Sequence, residues 1–114
     1  MENILIIDDD ISIRTILSKT LTDHGCQVMV AEDGEAGICM LTQNEKFKAV
    51  ITDICMPKKN GNDVARHIKN GRETSTTPVI GVTGFVEEAE KEIFDFLLEK
   101  PFKIQELLDI IDKL

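Results

Sequence analysis

Ile4-Leu5-Ile6-Ile7-Asp8-Asp9-Asp10 opens the chain with an aliphatic run that stops abruptly in acids. A short, continuous β-branched and aliphatic run is the pattern of a strand buried on both faces. A strand of that kind needs helices above and below the sheet, and the sequence that follows supplies them. Asp10 and Ser12 can cap a helix carrying Ile13, Ile16, Leu17 and Leu21 at helical spacing, and Gly25 suits its C-terminal stop.

The same alternation then repeats. Gln27-Val28-Met29-Val30-Ala31 reads as a second strand. A second helix runs from Asp33-Gly34 to about Gln43, with Ala36, Cys39 and Met40 facing inward. Ala49-Val50-Ile51-Thr52 is the third strand, and Met56-Pro57-Lys58-Lys59-Asn60-Gly61 is a loop whose Pro and Asn-Gly disfavour regular structure. Asn62 begins a helix with Val64, Ala65 and Ile68 on one side. Pro78-Val79-Ile80-Gly81-Val82 is a fourth strand. A short helix from about Val86 leads to a weak fifth strand near Phe96 to Leu98, and the last helix, from Ile104, repeats Leu107, Leu108, Ile111 and Leu114. Strands alternating with helices through short links predict an α/β, doubly wound parallel sheet with helices on both faces. In such sheets function gathers at the carboxyl ends of the strands, beside the topological switch point.

The chain of 114 residues is the size of one domain, without repeats, linkers or low-complexity tracts, and is taken as one unit, 1–114. Its longest apolar stretches are a few residues, too short to span a bilayer, and its first residues lack the basic start of a signal peptide. The three cysteines, Cys26, Cys39 and Cys55, have no CxxC spacing and suit a reducing compartment better than a disulfide framework or a zinc site. A cytoplasmic location is expected. The formal net charge of −8 argues against direct nucleic-acid binding, which needs a basic face.

Polar residues fall at the strand ends. The first strand ends in Asp8-Asp9-Asp10, the third in Asp53, the fourth in Thr83, and the fifth is followed by Lys100-Pro101. Neighbouring carboxylates repel one another and either take up protons or recruit a cation. Hard oxygen ligands suit Mg2+, which accepts one or two carboxylates together with phosphate oxygens. With such an ion present, Asp53 is placed to attack phosphorus as a carboxylate nucleophile, Thr83 to donate to a phosphoryl oxygen, and Lys100 to pair with the phosphate.

Taken together, Ile4-Leu5-Ile6-Ile7-Asp8-Asp9, Thr52-Asp53-Ile54-Cys55-Met56-Pro57 with Gly61, Val82-Thr83 and Lys100-Pro101-Phe102 resemble the response-regulator receiver domain over essentially the whole chain. The resemblance implies a flavodoxin-like five-stranded sheet in the order 2-1-3-4-5. It also implies Asp9 as a direct metal ligand, Asp8 holding the metal largely through water, and Asp53 as both ligand and phosphoacceptor. The backbone carbonyl of Cys55 completes that ligand set, Thr83 is the switch hydroxyl, Lys100 contacts the phosphoryl group, and Lys100–Pro101 is a cis peptide. The implied phosphodonor is a phosphohistidine on a histidine kinase or histidine phosphotransfer protein, with acetyl phosphate as a substitute and a further protein as the downstream target. On this reading the chain is a switch in two-component signalling, not an enzyme.

Three departures from the family pattern bear on output. The segment from Thr83 to Lys100 is about five residues shorter than usual, roughly one and a half helical turns, so the helix before the fifth strand is expected to be truncated or partly replaced by loop. Ile93-Phe94 replace the usual Gly-Ala pair. The switch aromatic falls on Leu97, and Phe96 beside it should point to the opposite face. No standard dimer is therefore expected.

Simpler readings compete at several positions. Asp10 is better read as a helix cap than as a site residue. Asn60-Gly61 reads as a turn, His24 and His67 as surface or partly packed residues, and Phe85 and Phe94 as core or local cover. Acids near Cys55 should raise its thiol pKa and blunt a redox role. Among whole functions, a phosphorylation-independent pseudo-receiver binding module competes, although the acidic set is intact. A flavodoxin-like FMN binder needs a Ser/Thr/Gly-rich loop where three aspartates stand. A dehalogenase-like phosphatase matches the Asp8 and Asp10 spacing but leaves Asp53 to Pro57 unexplained. A chain of this length is expected to be either a stand-alone receiver or a piece of a larger regulator or hybrid kinase.

Overall fold

A computed structural model describes residues 3–43 and 46–114. The first strand, β1 (Asn3–Ile7), leads into α1 (Ile11–Asp23), β2 (Gln27–Ala31), α2 (Gly34–Thr42), β3 (Ala49–Asp53), α3 (Gly61–Asn70) and β4 (Val79–Thr83). After β4 come two single-turn 3-10 helices, Val86–Glu88 and Lys91–Ile93, then β5 (Phe96–Glu99) and α4 (Ile104–Lys113). All strand pairs are parallel, in the order β2-β1-β3-β4-β5, as expected.

Side-chain alternation divides the sheet into two cores. Ile4, Ile6, Ile51, Ile80 and Val82 face α1 and α4, where Leu17, Leu21, Leu107 and Ile111 cover them. Leu5, Ile7, Val50 and Val79 face the other way, against Leu41 of α2 and Val64, Ala65 and Ile68 of α3. Ile4, Leu5, Ile6 and Ile7 are all buried, so the opening run does lie between two helical layers.

Local signals explain the helix limits. The Asp10 carboxylate accepts from the Ser12 amide at 2.8 Å and caps α1, and Gly25 closes that turn at φ +95. Asn60 caps α3 in a reciprocal box with Asp63, which corrects its reading as a plain turn. Lys100–Pro101 is cis.

Three packing expectations fail. In α2 Ala36 and Met40 pack on the core as half-buried residues, but Cys39 is exposed and the fully buried positions are Gly34, Gly37 and Leu41. The small Gly37 carries the contact because a Cβ there would lie 2.4 Å from Ile7 Cδ1, so the close approach of helix to strand requires a residue that apolar patterning ignores. In α1, Ile16 is exposed and borders an apolar groove with Ile13, Leu17, Pro101, Phe102 and Ile104. Phe85 is 57% exposed, whereas Phe94 is buried.

The segment between β4 and β5 is reduced beyond the expected truncation. No α-helix forms there, and Ala89, Ile93 and Phe94 cover the α3 side of the sheet directly. Gly81 in β4 makes room for this cover, since a Cβ there would stand 2.8 Å from Leu97 Cδ2 and 2.9 Å from Phe94 Cδ1. Phe96 and Leu97 do take opposite faces of the sheet, Phe96 with the α1–α4 core and Leu97 with the α2–α3 core.

Candidate functional site

The strand order reverses direction between β1 and β3, and the carboxyl ends of these neighbours carry the acids. Asp8 and Asp9 follow β1 directly, Asp53 is the last residue of β3, and Thr83 is the last residue of β4. Lys100 leaves β5 just beyond Thr83, whose carbonyl accepts the Lys100 amide at 2.8 Å. Topology alone thus brings together side chains from four segments.

One carboxylate oxygen from each of Asp8, Asp9 and Asp53 lies within 4.8 Å of the others. Lys100 Nζ stands 3.6 Å from Asp53 Oδ1. Asp8 is only 3% exposed, and its Oδ1 accepts the Asp10 amide at 2.9 Å. Burial pushes the Asp8 carboxyl up to about 6, opposed by that amide and reinforced by the neighbouring Asp53. Burial also raises Asp53 above the ordinary carboxylate range, with Lys100 pulling it partly back down. Burial thus disfavours the charged form of both carboxylates, a cost that a bound cation relieves.

Asp10 stands apart from this group, because its side chain caps α1. That removes the acid on which a dehalogenase-like reading of Asp8 and Asp10 depends. Thr83 is 1% exposed, and its Oγ1 accepts the Phe85 amide at 2.9 Å. The Cys55 side chain turns outward, with Sγ 3.5 Å from Glu88 Oε2. Burial and Glu88 together raise its thiol pKa, so the acid chiefly responsible is Glu88 and not the cluster at Asp53.

Two residues escaped the sequence reading. Arg14 Nη1 donates to the backbone carbonyl of Asp8 at 2.7 Å and ties α1 to the loop that carries the acids. Its one visible signal is that it is the only charged residue in the first two turns of α1. Glu88 lies in the segment whose helix is missing and carried no signal.

Three hard oxygen donors packed this closely, two of them disfavoured as free anions, fit a small divalent cation such as Mg2+. The donor set contains no imidazole, and the nearest thiol, Cys55, faces Glu88, which suits neither zinc nor copper.

Comparison with known proteins agrees with this geometry. The family model of the response regulator receiver domain matches residues 4–112. The transcriptional regulatory protein CpxR of Klebsiella pneumoniae is 34% identical over 113 residues, covering 95% of this chain and 47% of CpxR. The chain thus spans about half the length of that relative. Among solved structures, chemotaxis response regulator CheY4 of Vibrio cholerae superposes with a TM-score of 0.88 at 29% identity, covering 99% of this chain and 98% of that one. Response regulator TrrA of Thermotoga maritima, solved in complex with Mg(2+)-BeF, gives a TM-score of 0.88 at 28% identity, with coverage of 99% and 98%.

Proposed function

This chain belongs to the response regulator receiver domain family of two-component systems, and on that premise we propose that it is a phosphorylation switch whose acceptor is Asp53. The observation that carries the reading is the meeting of Asp8, Asp9 and Asp53 within 4.8 Å, with the Lys100 ammonium 3.6 Å from Asp53. The structure of TrrA with Mg(2+)-BeF supports it.

Asp8, Asp9 and Asp53, with the backbone carbonyl of Cys55, would hold Mg2+. The ion, when bound, offsets the negative charge of an incoming phosphoryl group. The rest is the work of this chain's own residues. Asp53 is kept at a strand end with one oxygen beside Lys100, so its carboxylate meets phosphorus in one orientation. A P–O bond forms at Asp53 as the donor's P–N bond breaks, and the electron pair leaves with the donor imidazole. Lys100 then pairs with the phosphoryl oxygens as a point charge, and the Thr83 hydroxyl donates to one of them. A histidine kinase or histidine phosphotransfer protein would be the donor, and a downstream protein would read the altered surface.

Intact mass after incubation with acetyl phosphate and Mg2+ tests this. The wild type should gain one phosphoryl group, about 80 Da, as expected for an acyl phosphate on a carboxylate nucleophile. Omission of Mg2+ and Asp53→Asn should each abolish the gain. A wild type that gains nothing and also ignores beryllofluoride would turn the reading to a phosphorylation-independent binding module.

A further inference from the structure

Asn62 is a buried polar side chain that the phosphoacceptor site does not use. Among the described residues, the other buried polar side chains are Asp8, Asp53 and Thr83 of the site, Asp33, which caps α2, and Thr52, bonded to the adjacent Asp53 carbonyl. Asn62 lies in the first turn of α3, 8% exposed, and reaches across to the segment that replaces a helix. Its Nδ2 donates to the Glu88 carbonyl and its Oδ1 accepts the Glu90 amide, both at 2.9 Å. One carboxamide thus pins two backbone positions of residues 84–95.

That segment contains two single turns and no helical ladder, so beyond the packing of Ala89, Ile93 and Phe94 on the sheet its backbone is held by tethers to neighbouring elements. Further tethers run to α3, from Arg66 to the Glu90 carboxylate and from Lys69 to Asp95 at 2.8 Å, and at the far end to β4, where Asp95 exchanges two bonds with Val79. Its near end is tied to the switch hydroxyl. The Phe85 amide donates to Thr83 Oγ1, and the Glu88 amide donates to the Phe85 carbonyl at 3.0 Å. A continuous line of hydrogen bonds therefore runs from Thr83 through Phe85 and Glu88 to Asn62. Thr83 cannot swing toward a phosphoryl group without either dropping the Phe85 amide or dragging a segment that Asn62 holds five residues away.

We propose that Asn62 is an autoinhibitory latch, a positioning residue that keeps Thr83 in its unphosphorylated place by clamping residues 88–90 to α3. The proposal rests on the reading of Asp53 as phosphoacceptor and concerns how that site is restrained. A contact present only in the resting state lowers apparent affinity for whatever stabilises the switched state, so its removal raises that affinity.

The test titrates the full chain with beryllofluoride in Mg2+, followed by fluorine NMR, and times acetyl phosphate labelling by mass. Asn62→Leu removes both bonds with a side chain of the same branching. Glu90→Pro removes the strap's own donor together with the Glu90 carboxylate that pairs with Arg66. Its backbone tolerates the change, because Glu90 sits at φ −81 and Ala89 before it is extended. Glu90→Gln keeps the amide while losing the ion pair with Arg66. Asn62→Leu and Glu90→Pro should bind beryllofluoride about three- to tenfold tighter than wild type and label faster, the range expected for one or two neutral hydrogen bonds. Glu90→Gln should match the wild type. General structural damage weakens binding, so tightening is a result that a merely structural role does not give.

Unchanged or weaker binding in either of the first two variants, or equal tightening in Glu90→Gln, overturns the latch. If Asn62→Leu does not fold, Glu90→Pro against Glu90→Gln decides alone. A wild type that neither binds beryllofluoride nor labels removes the phosphoacceptor reading itself, and the latch falls with it.

Discussion

Asp8→Asn should make the protein more stable at neutral pH, although it removes a residue of the site. The Asp8 carboxyl is buried and its pKa is raised from 3.8 to about 6, chiefly by desolvation. The folded state therefore binds this proton more tightly than the unfolded chain does. Below about pH 3.8 both states carry the proton and Asp8 is neutral to stability. As pH rises from 3.8 to about 6 the folded state progressively loses ground, and above 6 the deficit is complete. At about 1.36 kcal/mol per pH unit, that window amounts to about 3 kcal/mol. Asparagine removes the charge and keeps an oxygen to accept the Asp10 amide, the 2.9 Å bond that orders this loop. Urea unfolding followed by far-UV circular dichroism is the assay, because the chain has no Trp or Tyr to report by fluorescence. In EDTA at pH 7.5 the variant's midpoint should lie about 1–2 M above that of the wild type, given a typical urea slope of about 2 kcal/mol/M. The gap should close as pH falls toward 4. An equal gain at both pH values would mean that the effect is not electrostatic, and no gain at pH 7.5 would refute the account of the acidic cluster.

Lys100→Met should slow acetyl phosphate labelling by about ten- to a hundredfold, as expected for loss of a charge-assisted contact, while changing stability by less than about 1 kcal/mol because the ion pair is partly exposed. Labelling time courses and urea melts on one preparation check both halves. Gly61→Ala should destabilise by more than about 2 kcal/mol and abolish labelling, since its Cβ would fall 2.5 Å from the Asp53 carbonyl oxygen and 2.7 Å from Ile54 Cα; thermal melting and mass together report it. Cys55 should alkylate more slowly than a free thiol, with its rate rising only at higher pH, because burial and Glu88 raise its pKa. Glu88→Gln should speed that reaction, measured by peptide mass after iodoacetamide.

The sheet was legible because each strand has an apolar centre and a polar residue closes or follows it. Ile4 to Ile7 admits few other readings once the acids follow it. Helix faces were less legible where the contact is made by absence of a side chain. Gly37 packs against Ile7 without adding to an apolar pattern, so the pattern points Cys39 inward where the structure exposes it, and Gly81 of β4 receives Phe94 just as silently. Ile16 and Phe85 failed in the opposite sense, as large apolar residues left on the surface. Hydrophobicity records what burial would stabilise, not which residues the geometry reaches.

The acids of the site announced themselves by type and position, whereas the groups that hold the site did not. Arg14 acts through a backbone carbonyl, and Asn62 through a carbonyl and an amide, atoms that every residue carries and no sequence pattern marks. Asn62 even occupies a helical position where an apolar residue would have satisfied the patterning of α3. A buried carboxamide there is tolerable only because both of its ends are bonded, and the partners lie 26 and 28 residues away in a segment without an α-helix. The absence of an α-helix between β4 and β5 and the bonding of Asn62 are in that sense coupled. Without a helical ladder the strap's backbone groups need a partner from outside, and α3 provides it. The tether that lets a shortened segment keep its shape is therefore the same tether that restrains Thr83, so loss of the Asn62 bonds should ease the strap and the switch together.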